Sequence, residues 1–320
     1  MTNISKTLRY ASSFRHFCAL VGCIVLFLSV APVCAAAKHA AYSGGEILFI
    51  GPSASHKRDL FSVRPDGSGL RKLTRQGIGC IGASWSPDKK SVVMSIATKI
   101  GSGKTSTYRY NLAILNVRNG AIRNVAIVGY PQVKPFNPAF SPSGQQIVFV
   151  GSSRKNFFVL YRINLDGTHL WHFTGYGGER SGHLSHDGRK ITFSYISRGK
   201  ENIYTTNVDG KNEHQITYKN GADYSPNFSP NEKKIAFVSS RHNQSFQIFT
   251  MNVDGTGEKQ LTYGKEKNYS PTFSLDGRQI AFARYLGVGK GSQIFVMNAD
   301  GTNQHRITFG MTYATFPDWR

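Results

Sequence analysis

The chain has 320 residues, with 39 Lys and Arg against 18 Asp and Glu and a formal charge of +21. Beyond its first segment roughly 280 residues remain, ample for one large core and within the range that all-β folds occupy as one domain. Cys18, Cys23 and Cys34 lie in that first segment, so the remainder keeps only Cys80. An intramolecular disulfide is thereby excluded, and a lone thiol of this kind is expected to behave as a small, inert hydrophobe.

The amino terminus reads as a removable signal peptide over residues 1–37. Lys6, Arg9 and Arg15 form a positive region, residues 17–31 an apolar run, and Val33-Cys34-Ala35 or Ala35-Ala36-Ala37 a small-residue cleavage site. A retained membrane anchor would need about 20 apolar residues, and this run is shorter. Leu20-Val21-Gly22-Cys23 has the form of a lipoprotein cleavage box, but cutting there would leave the apolar stretch 24–33 on the product. A short linker over 38–45 follows, and the expectation is an exported, periplasmic chain with no stable membrane span after cleavage.

From Glu46 onward the chain repeats. Gly67, Gly120, Gly167, Gly210, Gly255 and Gly301 recur at spacings of 53, 47, 43, 45 and 46 residues, and five of the six follow Asp. Each period has an aromatic and a Ser-Pro-like turn, an apolar strand, a variable loop, a second strand, an Asp-Gly turn and a short strand ending in Thr. The clearest copy runs from Tyr269 through Ser274, Asp276-Gly277, IAFAR, QIFVMN and Asp300-Gly301 to Thr308. Period-two alternation rich in β-branched and aromatic residues makes these strands, and Asp-Gly supplies the positive φ of tight hairpins. Helical periodicity is lacking after residue 40, so an all-β repeat of this length predicts a propeller.

The two ends of the repeat region decide the blade number. Trp85, Phe140, Leu184, Phe228, Phe273 and Trp319 occupy the aromatic position of the innermost strand. The first copy, beginning at Glu46, has no such strand, whereas residues 315–320 have one and nothing after it. The carboxy-terminal strand is therefore expected to complete the first blade of a six-bladed propeller over 46–320, hiding two edges that would otherwise pair with other chains.

The SPNFS of residues 225–229 and the SPTFS of 270–274, each followed by an apolar strand, then Asn-Val-Asp-Gly and Leu-Thr, resemble the repeat of the TolB family. The resemblance spans about residues 46–320. It implies a periplasmic, protein-binding propeller linked to a Tol-Pal-type system, with a Pal-like lipoprotein as partner. TolB carries an α/β domain ahead of its propeller, and only about ten residues separate the cleavage site from the first strand here, so functions resting on that domain are not implied. The same repeat occurs in prolyl oligopeptidase-type peptidases, but this chain has no Gly-x-Ser-x-Gly elbow.

Other motifs read as structure. Residues 101–105, GSGKT, have Thr98 where a phosphate loop needs its first Gly and are followed by a strand, so a flexible loop is expected. Asp166, Asp209, Asp254 and Asp300 precede turn glycines and suit Asx turns; one carboxylate per turn is too few for calcium. His183, Ser185, His186 and Asp187 sit where other blades have an inner strand and Ser-Pro, with neighbours facing opposite sides of the strand, which opposes a triad. No cofactor, metal site or catalytic residue is expected.

Charge supplies the functional expectation. In a propeller, the loops between second and third strands and those joining successive blades leave from one face, here termed the top. The top loops hold 18 Lys and Arg against five Asp and Glu, the opposite turns 16 against 11. The candidate partner-binding residues are Lys57, Arg58, Arg109, Lys134, Arg154, Lys155, Arg180, Arg198, Lys200, Arg241 and Arg284, with Tyr224 and Tyr269 beside the channel mouth. Phe136 is placed with these tyrosines, either packed between blades or lining the mouth. Such a face favours capture of an acidic protein or peptide by a monomeric, non-enzymatic scaffold. The alternative is a lyase or hydrolase acting on an acidic polysaccharide; nucleic acid is not expected outside the cytoplasm.

Overall fold

The computed structural model describes residues 44–320 other than 54–56, 76, 103–105, 153–157, 174–177 and 242–244. The signal-peptide reading and most of the linker lie outside the described residues. All regular elements among those described are strands, and they form six four-stranded antiparallel sheets. Each sheet is a blade whose strands run outward in chain order. The first is the exception, because the carboxy-terminal strand Thr315–Trp319 is its innermost member.

That strand zips onto Ile47–Pro52 with Ile47 opposite Trp319 and Leu48 opposite Asp318. Glu46 N–H donates to the Arg320 carbonyl at 2.8 Å, and Arg320 N–H returns a bond to the Glu46 carbonyl at 3.2 Å. Ile47, Phe49 and Trp319 then pack on Ala281, Ala283 and Ile294 of the sixth blade. The expected closure is the one observed.

Blades stack through directly opposed ring pairs on their second and third strands. Phe49 faces Phe61, Phe149 faces Tyr161, Phe193 faces Tyr204, Phe237 faces Phe249 and Phe282 faces Phe295. Ring centroids in these pairs are 5.5–5.8 Å apart, a separation at which aromatic pairs add stability beyond area burial.

The Leu-Thr signature has a hydrogen-bonding cause. The outermost strands are only two residues long where the repeat is most regular, which leaves third-strand amides without a backbone partner. The threonine hydroxyl supplies the acceptor: Thr74, Thr217, Thr262 and Thr308 Oγ1 accept from the N–H of Leu60, Ile203, Ile248 and Ile294 at 2.8–2.9 Å. Thr262 and Thr308 also donate to Gln247 and Gln293 at 2.7 and 2.9 Å.

The Ser-Pro element differs from its sequence reading. It is not a turn ahead of the strand but a β-bulge inside it. Asn137, Ser225, Ser270 and Phe316, each preceding proline, have φ of +46°, +52°, +50° and +53°, and the register shifts there in each innermost strand. Proline cannot donate to a ladder and is confined within sheets to edges and bulges. The left-handed residue, which costs about 1–2 kcal/mol when it is not glycine, bends each strand along the channel wall. In the second blade Gly82 stands at the equivalent position without the left-handed φ, and a Cβ there would come within 3.1 Å of the Asn137 backbone.

The Asp-Gly turns are Asx turns, as expected. Asp166, Asp209, Asp254 and Asp300 each accept from the backbone N–H two residues on, at 2.9 Å. Cys80 is buried, its thiol pKa pushed up to about 12 by burial.

Replacing Thr262 by valine keeps the shape and removes the acceptor, leaving Ile248 N–H buried and unpaired. The expected loss is about 1–3 kcal/mol of unfolding free energy, measured by urea denaturation, whereas Thr262→Ser retains most of it.

Candidate functional site

Two strand starts and one bulge build a cleft on the top face. Tyr108 and Tyr110 lie two residues apart on the strand Thr107–Asn116, so both face the same side. Tyr110 packs on Phe136 at 5.3 Å between centroids, and Phe136 on Phe158 at 5.8 Å. The left-handed bulge turns Phe316 outward from the closing strand, 41% exposed, and Tyr108 is 52% exposed. These rings, with Lys57, Arg58 and Asn137, line a cavity of about 660 Å³ shared by the first three blades.

The cleft is electropositive. Lys57 and Arg58 form one wall, Lys134 sits 5.8 Å above the Tyr110 ring, and the Arg58 guanidinium lies 6.0 Å from the Tyr313 ring. No carboxylate or imidazole is among the described lining residues. Asp59, next in sequence, does not offset them: it is fully buried, 2.6 Å from Lys72 and bonded by Thr74. Burial alone would raise its carboxyl, but the bonds from Lys72 and Thr74 hold it below the ordinary range.

The predicted top-face residues fall into distinct groups. Lys57, Arg58 and Lys134 converge on the cleft. Arg109, alternate to the two tyrosines, faces a neighbouring hollow beside Tyr130 and Pro131. Arg198 and Lys200 are exposed at the hairpin of the fourth blade, where Arg198 and Gly199 both have positive φ. Arg154, Lys155 and the Arg180 side chain lie outside the described residues.

Arg241 and Arg284 are corrections to the sequence reading. Arg241 is only 4% exposed and ion-paired at 2.7 Å with both Asp223 and Glu258, its guanidinium over Phe237 and Phe249. Burial opposes its charge, but the two carboxylates more than compensate and hold it protonated. Arg284 repeats this one blade on, over Phe282 and Phe295 and bonded to Asn268 and Gln304 at 2.8 and 2.6 Å. Both are braces within a single blade rather than free surface cations.

Tyr224 and Tyr269 each pack on Phe246 at 5.6 Å between centroids, and burial raises both phenols. Phe136, by contrast, lines the cleft. Sequence reasoning missed Tyr108, Tyr110, Phe158 and Phe316. The first two carried a readable signal, aromatics at i and i+2 on a strand beside a glycine-rich loop.

A separate cavity of about 130 Å³ is lined by all six innermost strands. One register position contributes Ser84, Ala139, His183, Asn227, Thr272 and Asp318 to its wall. Asp318 accepts from Trp85 N–H at 2.8 Å, linking the first blade to the second, and Asn227 from Phe273 N–H at 3.4 Å, linking the fifth to the sixth. His183 is driven down to about 3 by burial, with Arg320 and His186 adding to the effect, so it is neutral in the channel wall. Ser185 donates to Asp187 at 2.6 Å, the same bond that Ser86 and Ser274 make to Asp88 and Asp276. This stretch is thus a turn of the repeat, not a triad. The GSGKT segment bridges two antiparallel strands, with 103–105 outside the described residues.

A family model described as the TolB beta propeller domain matches residues 104–244, 138–287 and 179–320. The chain belongs to the TolB β-propeller family. An uncharacterized protein of Agrobacterium fabrum, Atu1656, is 29% identical over 157 residues, covering 48% of this chain and 49% of that one. The match thus spans about half of that relative. Among solved structures, TolB from Acinetobacter baumannii superposes with a TM-score of 0.71 at 18% identity, over 86% of this chain and 66% of that one. A putative TolB from Agrobacterium tumefaciens gives 0.65 at 19%, over 83% and 90%. At these identities the superpositions establish the fold.

Asp318 yields a pH prediction. Burial raises its carboxyl above the ordinary range, so the folded state favours the protonated form. This contribution is complete below about pH 4, the unfolded value, and is lost as pH rises through the folded pKa. Asp318→Asn keeps an acceptor for Trp85 and removes the ionisation cost. It is expected to melt above wild type at pH 7, with the gap closing toward pH 4, while Asp318→Ala melts below Asp318→Asn throughout.

Proposed function

We propose that this chain is an exported, periplasmic binding scaffold that holds an acidic protein segment over its top face, with an apolar side chain of the partner seated in the cleft. The carrying observation is the cleft itself: five rings for an anchor, three cations at its wall and rim, and no carboxylate among its described lining residues. Preformed aromatic pockets rimmed by charge are where binding energy concentrates in protein interfaces, and like-signed rims speed capture of oppositely charged partners. Membership of the TolB propeller family supports the envelope assignment. It also makes a Pal-like lipoprotein the first partner to examine. The signal peptide over 1–37 and a monomeric state belong to the same reading. Among the described lining residues no pair of carboxylates stands ready to hydrolyse a glycosidic bond, which favours binding over the hydrolase form of the polysaccharide alternative.

A photo-crosslinking residue at Tyr108, carried by the full chain in its native cell, is expected to trap an acidic envelope protein. Reversing Lys57, Arg58 and Lys134 to Glu should cut its yield by roughly tenfold while the protein is exported and melts as wild type. Equal yield from both would refute the electrostatic part, and trapping of a basic partner would refute the reading altogether.

A further inference from the structure

The top rim of the fourth, fifth and sixth blades carries a second, separate feature. Where each short outer strand ends, the sequence reads Ile-Thr-Tyr, Leu-Thr-Tyr and Ile-Thr-Phe, and the last residues, Tyr218, Tyr263 and Phe309, are 74%, 69% and 66% exposed. A single exposed aromatic is ordinary, but here three recur at one position of the repeat.

The rings are held. Tyr218 donates its hydroxyl to the Gln215 carbonyl at 2.5 Å, and Tyr263 to the Gln260 carbonyl at 3.0 Å, in each case three residues back along its own strand. A ring tied to one strand at both its Cα and its hydroxyl lies along that strand with one broad face to solvent. Phe309 has no hydroxyl, and there Arg306, again three residues back, places its guanidinium 4.7 Å from the ring centroid, leaving the other face free. The residue beneath is itself anchored in all three blades: Gln215, Gln260 and Arg306 donate to the carbonyl of the intervening threonine at 2.5–2.7 Å. One device is thus built three times on consecutive blades. The corresponding residue is Arg75 in the first blade and Ile127 in the second.

We propose that these three rings form a platform for a linear anionic polysaccharide, each ring stacking on the apolar face of one sugar. Three observations select this ligand. Flat, pre-oriented rings offer a face for CH–π stacking at little ordering cost, whereas insertion into a lipid surface needs ring edges that point outward. The rings are separated by Gly264, Gly310 and polar residues instead of merging into the contiguous apolar patch that a protein interface core requires. Lys265 and Lys267 beside Tyr263, and Lys290 on the neighbouring loop, are exposed and outnumber Glu266, which suits carboxylate-bearing sugars. The platform uses different blades from the cleft and does not depend on it.

Affinity electrophoresis and calorimetry of the full chain with polygalacturonate, alginate and neutral dextran test this, with phosphatidylglycerol vesicles as a fourth probe. Wild type is expected to bind at least one polyuronate more tightly than dextran. Combining Tyr218→Ala, Tyr263→Ala and Phe309→Ala should weaken that binding roughly tenfold or more, and Lys265→Gln with Lys290→Gln should weaken it less and flatten its salt dependence. Tyr218→Phe with Tyr263→Phe keeps the rings but frees them, so a smaller loss is expected even where the triple variant folds poorly. Reversal of the cleft lysines and Arg58 should weaken polyuronate binding only through overall charge, an effect that added salt removes, and leave its dependence on the three rings unchanged. Failure of wild type to bind either polyuronate, unchanged binding by the ring variants, or ring-dependent binding of vesicles without polyuronates would each overturn the proposal.

Discussion

The pairing of Thr315–Trp319 with Ile47–Pro52 is the constraint on which the rest depends. A ring of blades closes only if its last strand completes its first sheet, and here a handful of backbone bonds, the burial of Trp319 and the Asp318 bond to Trp85 do that work. Closure sets six blades, and six blades set the distance across which the loops of the first three face one another. The cleft exists because Phe316, on the closing strand, stands beside rings of the second and third blades. Stability of the ring and geometry of the cleft therefore share one strand.

Within that ring, cations of similar sequence context divide between two roles. Arg241 and Arg284 lie across the aromatic pairs of their blades and satisfy polar groups there. Lys57, Arg58 and Lys134 stay at the surface because the rings near them face the cleft instead of a neighbouring blade. A guanidinium is weakly hydrated and planar, so it stacks on rings and tolerates burial when paired. The net charge of the top loops consequently overstates the charge available to a partner.

Much of this architecture was legible in one dimension. The repeat length, the Asp-Gly turns, the Leu-Thr endings and the unequal chain ends each follow from local rules, since a hairpin needs positive φ and a two-residue outer strand leaves amides for threonine to satisfy. The Ser-Pro element was misread as a turn because proline's missing donor looks the same before a strand and at a bulge within it; only the register of the neighbouring strand separates them. Arg241 was misread because loop position stands in poorly for exposure: Asp223 and Glu258 lie well apart on either side of it in sequence, and they meet its guanidinium over Phe237 and Phe249 only when the blade folds.

The sequence by itself determined the all-β class, the six-fold repeat and the join between its ends, because these rest on periodicity and on hydrogen-bonding rules that act within or between adjacent strands. The tertiary structure alone decided which rings share a cleft, which cations are spent inside the blades and which way Phe316 turns. Those outcomes arise from side chains of different blades meeting in space, and a distance between residues 58, 110 and 316 is not a property of any local segment.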